Sequence, residues 1–157
     1  NNAYCQDNDI TWLDWPGADV DLLMTTRRLL ALRHEVPALR IGRWLTGQPD
    51  AQGCTDVVWW HPDGRPLGGD DWASSTDRAL LVCLRTATGS AALVVFNPES
   101  EARLCQLPEP AAAPWEAVFD STRPHAAPDS TGPIDPVGRV APARSVLVLL
   151  SRPMTLT

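Results

Sequence analysis

The residues with most chemistry to offer stand at the front of the chain: Asn1, Asn2, Tyr4, Asp7, Asn8, Trp12 and Trp15. The amides and the carboxylate are hydrogen-bonding partners for hydroxyl groups. Tyr and Trp add flat apolar faces with a polar tip. Together they suit the rim of a site for a polyhydroxylated ligand, whose hydroxyls meet the amides while its C–H faces stack on the rings. The stretch has neither helical nor strand periodicity. Asn and Asp also bond their own backbone and build turns, so composition alone leaves a second reading open: an ordered loop in which Asp7 and Asn8 make the turn hydrogen bonds and Trp12 and Trp15 plug the nearest core.

Other reactive side chains do not assemble by spacing. Cys5, Cys54, Cys83 and Cys105 are widely and irregularly placed, and His34, His61 and His125 stand at no metal-like distance from them in sequence. Neither a zinc site nor any other cofactor is expected. Cys83 and Cys105 lie in apolar runs, where a thiol behaves as a small hydrophobe. Reduced cysteines in a cytoplasmic protein are the expectation, with two disulfides as the alternative for a secreted one. A net charge of −6 without a basic stripe argues against nucleic acid as a partner. No apolar run approaches the ~20 residues that span a bilayer, so no membrane partner is expected. The chain begins at Asn, inside a motif and without a signal-like pattern, and reads as a piece of a longer protein.

The elements that must position these residues follow from periodicity. From Ala18 to Glu35 the pattern is helical, with Asp19 as N-cap, an apolar stripe through Val20, Leu23 and Leu30, cations in the second half, and Pro37 as the stop. The width of the stripe predicts packing against something large. After Arg40 short strands are expected at Ile41–Thr46, Asp56–His61, Arg78–Arg85, Ala91–Asn97, Glu101–Leu107, Trp115–Asp120, Val137–Val140 and Ser145–Leu150, separated by turns rich in Pro, Gly and Asp. Trp115, Ala117 and Phe119 should share one face. Adjacent Trp59 and Trp60 must point to opposite faces, one into the core and the other outward, against a neighbouring domain or stacking a sugar. Residues 153–157 should fray. The fifteen prolines and scattered glycines favour this pattern over long helices, and an all-β sandwich from roughly Arg43 to Arg152 is the natural fold, with a partly open barrel as alternative.

Asn1-Asn2-Ala3-Tyr4-Cys5-Gln6-Asp7-Asn8, followed by Thr11-Trp12-Leu13-Asp14-Trp15, resembles a signature of bacterial and archaeal glycogen debranching enzymes, isoamylase-type members of the α-amylase family. The match is long, contiguous and rich in rare residues. The Asp70-Asp71-Trp72 loop after Pro66-Leu67 is similar to one in the same family. The resemblance implies a mainly β fold: a C-terminal antiparallel β-sandwich over 43–157, preceded by a loop and one helix (1–42) left from the end of a catalytic (β/α)8 barrel. It implies glycogen, limit dextrin or another α-glucan as substrate, and the barrel of the same chain as partner. Sites in such barrels gather at the C-terminal ends of the strands, so the resemblance makes Asn1, Asn2, Tyr4, Asp7 and Asn8 candidates for glucan contact and Trp12 and Trp15 for stacking. The family's catalytic carboxylates match no position here, and the segment itself is expected to be non-catalytic.

Three functions compete on this reading. They are the C-terminal part of an α-1,6-glucosidase, an independent glucan-binding module suggested by the seven Trp, and a scaffolding domain covering a barrel face. Within the first, the rivals are a maltooligosyltrehalose-type hydrolase and an isoamylase acting on amylopectin.

Overall fold

The computed structural model describes residues 4–110, 113–125 and 138–152. The expected sites Asn1 and Asn2, most of the loop after Ser121, Val137, and the tail at 153–157 lie outside them. Among the described residues one α-helix precedes seven strands: α1 (Val20–Glu35), β1 (Val57–Trp60), β2 (Leu80–Arg85), β3 (Ala91–Asn97), β4 (Arg103–Cys105), β5 (Glu116–Asp120), β6 (Arg139–Ala141) and β7 (Ser145–Ser151). Short 3-10 turns occupy Pro37–Leu39 and Asp70–Ala73.

The expected hairpin forms in full register, from Leu80 opposite Phe96 to Arg85 opposite Ala91, with Gly89 at φ 82° in its turn. The five-stranded antiparallel sheet runs β1-β2-β3-β7-β5, and β4 pairs with β6 in a separate ribbon. The fold is therefore the expected mainly β sandwich. Because β2, β3 and β7 are apolar on both faces, the large sheet has two cores. On one face Leu81, Leu93, Val95, Leu147 and Leu149 pack with Cys105 and Ala141 of the ribbon and with Trp115. On the other, Ala92, Val148 and Leu150 meet Val36 and Ala38, just past the end of α1.

Polar clamps fix the two layers. Asn97 is fully buried at the end of β3. Its Nδ2 donates to the carbonyls of Glu101, Ala141 and Pro142 at 2.8–3.1 Å, while its Oδ1 accepts from the Glu99 N–H. One amide thus ties the large sheet to the connections of the ribbon. At Gly138 a side chain would strike the Cys105 carbonyl, 2.5 Å from an added Cβ, so only glycine lets β6 close on β4.

Two expectations require correction. Ile41–Thr46 is not a strand. Its donors turn instead to the buried Asp56 carboxylate, which accepts from Thr46 N–H at 3.1 Å, from Gly47 N–H at 2.9 Å and from Arg43 at 2.7 Å. A side chain has taken the place of a partner strand. Nor do Trp115, Ala117 and Phe119 share one face. A bulge between Ala117 and Phe119 shifts the register of β5 on β7, so Trp115 and Ala117 enter the ribbon-side core while Phe119 enters the helix-side core.

Asn97→Ala leaves several carbonyls without donors in a dry interior. Urea unfolding should show a loss of about 3 kcal/mol with an unchanged m-value. The N–H groups of Thr46 and Gly47, with Arg43, hold the Asp56 pKa below its ordinary value against the opposing effect of burial. A depressed folded pKa adds stability that is complete above the unfolded value of about 4 and fades as pH falls through it. Asp56→Asn removes that component, so the urea midpoint of the variant should fall less steeply than the parent's between about pH 5 and 3.

Candidate functional site

The loop before α1 is built by its own side chains. Asn8 Oδ1 accepts from Ile10 N–H, and the Asn8 carbonyl accepts from the N–H groups of Thr11 and Trp12. Thr11 Oγ1 reaches back to the Gln6 carbonyl at 3.0 Å. Asp7 receives the Trp12 indole N–H at 2.6 Å, which fixes the ring without burying it. Tyr4 and Cys5 adopt left-handed backbone, φ 48° and 58°. Asp14 caps the next turn through Gly17 N–H, and Asp19 caps α1 through Leu22 N–H at 2.9 Å. Tyr4, Trp12 and Trp15 are 81%, 66% and 75% exposed. Asp7 and Asn8 therefore hold the loop in shape, and the three rings line its outside rather than plugging a core. Asp7, Asp14 and Asp19 are engaged in loop and cap geometry, which fits positioning better than proton transfer.

A second aromatic cluster stands on the sandwich. Trp60 packs against the ribbon-side core, and Trp59 points the other way, 41% exposed. Trp59 meets Trp72, 56% exposed, edge to face with centroids 5.5 Å apart and planes at 77°. The loop that delivers Trp72 is stapled by a two-pronged pair: Arg65 Nη1 and Nη2 each lie 2.6 Å from an oxygen of Asp71, which also accepts from Gly68 N–H. The Arg65 guanidinium, then the Gly68 N–H, hold the Asp71 carboxyl well below the usual range. Behind the loop, Asp77 Oδ2 joins His61 Nε2 at 3.0 Å and Arg103 at 2.7 Å. Sequence reading pointed to neither network, since each joins charged residues 6 to 26 positions apart with no shared motif.

The four cysteines are unpaired. Burial pushes the Cys83 thiol up and the Cys105 thiol up to about 11, so these two remain inert small hydrophobes. Among the described residues no group of three or more His, Cys, Asp and Glu comes together in a way that could hold a metal ion. No described helix is long and apolar enough to cross a membrane.

Helix α1 meets the sheet with an unexpected residue. Arg28 donates to the carbonyls of Pro124 at 2.6 Å and Val118 at 2.9 Å and lies over the Phe119 ring, while Leu32 joins the helix-side core. The apolar stripe through Val20, Leu23 and Leu30, together with Met24, stays exposed.

Fold and surface together define a β-sandwich domain with a helix on one face and exposed aromatic rings on two stapled loops. The chain is 38% identical over 123 residues to a glycogen debranching enzyme of Serratia proteamaculans, a match covering 78% of this chain and 17% of that protein. It is 37% identical over 118 residues to a glycogen debranching enzyme of Cronobacter sakazakii, covering 75% of this chain and 16% of that protein. A glycogen operon protein GlgX homolog of Haemophilus influenzae is 32% identical over 108 residues, 69% of this chain and 15% of its own length. A comparison with models of protein families gives no match. The resemblance to glycogen debranching enzymes is borne out: the chain is a relative of one segment of these bacterial enzymes, spanning about a sixth of their length.

An exposed apolar stripe of this kind drives association. The 157-residue chain should self-associate as its concentration rises, and a Leu23→Glu/Leu30→Glu variant should sediment as a monomer over the same range.

Proposed function

We propose that the chain is the C-terminal part of a glycogen debranching enzyme that hydrolyses α-1,6 branch linkages in glycogen or limit dextrins. In this reading residues 1–42 close a catalytic (β/α)8 barrel, residues 43–157 form the sandwich packed beside it, and the exposed stripe of α1 meets the barrel. A retaining glycosidase needs two carboxylates about 5–5.5 Å apart, and these are contributed from outside this segment. The loop residues Asn1, Asn2, Tyr4, Asp7 and Asn8 contact glucan, with Trp12 and Trp15 as stacking faces. The protein works in the cytoplasm, a reading supported by its four unpaired thiols.

The observation that carries the proposal is the 32–38% identity over at least 69% of the chain to proteins named for glycogen debranching or the glycogen operon. The outward-facing rings of Trp12 and Trp15 add to it. They suit a loop that offers flat surfaces to a ligand.

A limit dextrin tests this directly. The full reading frame should release linear maltooligosaccharides from it and create new reducing ends, whereas the 157-residue chain alone should release none. Cleavage by the bare chain, or intact branch linkages after exposure to the full-length protein, would overturn the reading.

A further inference from the structure

The connection from α1 to β1 walls a cavity of about 360 Å³ against the outside of β2. Its floor is apolar, with Ala38, Leu39 and Leu84, and its rim carries Arg33, Arg40, Arg43 and Trp44. Arg33 stands in the last turn of α1, and Arg40 ends the turn at Pro37–Leu39. Arg43 is tied to the buried Asp56 carboxylate at 2.7 Å, and the same carboxylate accepts from the Thr46 and Gly47 N–H groups. This clamp grips the chain on both sides of Trp44, which is 93% exposed.

We propose that this cavity binds a phosphate monoester, its oxygens held by Arg33 and Arg40 and its organic body laid against the Trp44 ring. Neither glucan chemistry nor the debranching reading enters here; charge and donors carry the choice. Among the described residues the Arg33 and Arg40 guanidinium groups have no hydrogen bond or ion pair, whereas Asp56 neutralises Arg43. The rim therefore presents two uncompensated positive charges on two planar forks, each able to grip two oxygens at once. A phosphate monoester brings a charge of roughly −1.5 to −2 at neutral pH and three acceptor oxygens. A single carboxylate would balance only one of the two arginines.

The wall between these arginines and Arg43 adds donors of its own. No N–H from Ile41 to Leu45 is taken by an acceptor among the described residues, which follows from the failure of this segment to pair as a strand. Trp44 supplies a flat apolar face that nothing in the domain covers, suited to a sugar ring or a nucleoside base. The chain's net charge of −6 gives anions no general attraction, so binding of a phosphate ester has to come from a local cluster.

The 157-residue chain can be titrated by calorimetry with inorganic phosphate, glucose phosphate and adenosine monophosphate, with glucose and adenosine as uncharged controls. One or both esters should bind more tightly than phosphate alone, and the tighter one names the body, sugar or nucleoside. Affinity should fall as salt is raised. Arg33→Gln/Arg40→Gln should weaken ester binding at least tenfold, equivalent to about 1.4 kcal/mol. Trp44→Ala should weaken the esters about threefold while leaving inorganic phosphate unchanged. Arg27→Gln/Arg78→Gln removes the same charge from exposed positions that do not line the cavity, and should bind as the parent does. The arginines and Trp44 are all exposed, so the thermal midpoints of these variants should hold. Absence of binding by either ester would overturn the site. So would equal weakening in the two double-arginine variants, or binding by this chain that the full-length protein lacks.

Discussion

The pairing of β3 with β7 is the constraint on which the rest depends. Seven residue pairs, from Ala91 with Ser151 to Asn97 with Ser145, run down the middle of the sheet. Both strands carry apolar residues on both faces, so the four pairs from Ala92–Leu150 to Val95–Leu147 each belong to one core or the other. Slipping β7 by one residue would send Leu147 and Leu149 to the helix side and pull Val148 and Leu150 under the ribbon. The ribbon of β4 and β6 and the end of α1 are each seated by residues of this ladder. The Asn97 amide fixes one end of it by reaching into the other layer.

The strongest elements were legible because their signals are local. The β2–β3 hairpin combines two continuous apolar runs with a Gly-containing turn, and α1 has a capping Asp before it and a proline after it. Where the reading failed, a distant partner had intervened. Ile41–Thr46 has the composition of a strand, yet its N–H groups are claimed by Asp56, a residue that looks like the start of the next strand. In Trp115–Asp120 the alternation predicts one shared face, but one extra residue in the ladder sends Phe119 to the opposite core, where the Arg28 guanidinium lies over its ring. A bulge leaves no mark in a hydrophobicity pattern.

The candidate site divides along the same line. That Trp59 and Trp60 separate to opposite faces follows from the period of a strand. That Trp59 finds Trp72 does not, because the meeting depends on the Arg65–Asp71 staple folding a long loop back over the sheet. The loop before α1 was legible through its wording, which resembles a known family more specifically than its composition indicates a sugar site. Its geometry then explains the wording in part: Asp7, Asn8, Thr11 and Asp14 each satisfy a particular donor or acceptor of the turn, and the rings are what remains on the outside.

The staple has one more effect. As the chain doubles back after β1, Trp60 bridges Pro66, while His61 N–H binds the Arg65 carbonyl and Leu67 N–H binds the Trp59 carbonyl. An outermost strand normally offers a row of free amides to any extended chain that drifts past. Here the Trp59 carbonyl and the His61 amide of that row are already taken by the protein's own backbone, and the covering flap carries a proline with no amide hydrogen to offer. The Trp59–His61 end of the β1 margin is thus covered against strand exchange, so a strand adding there must first unzip the 61–67 turn.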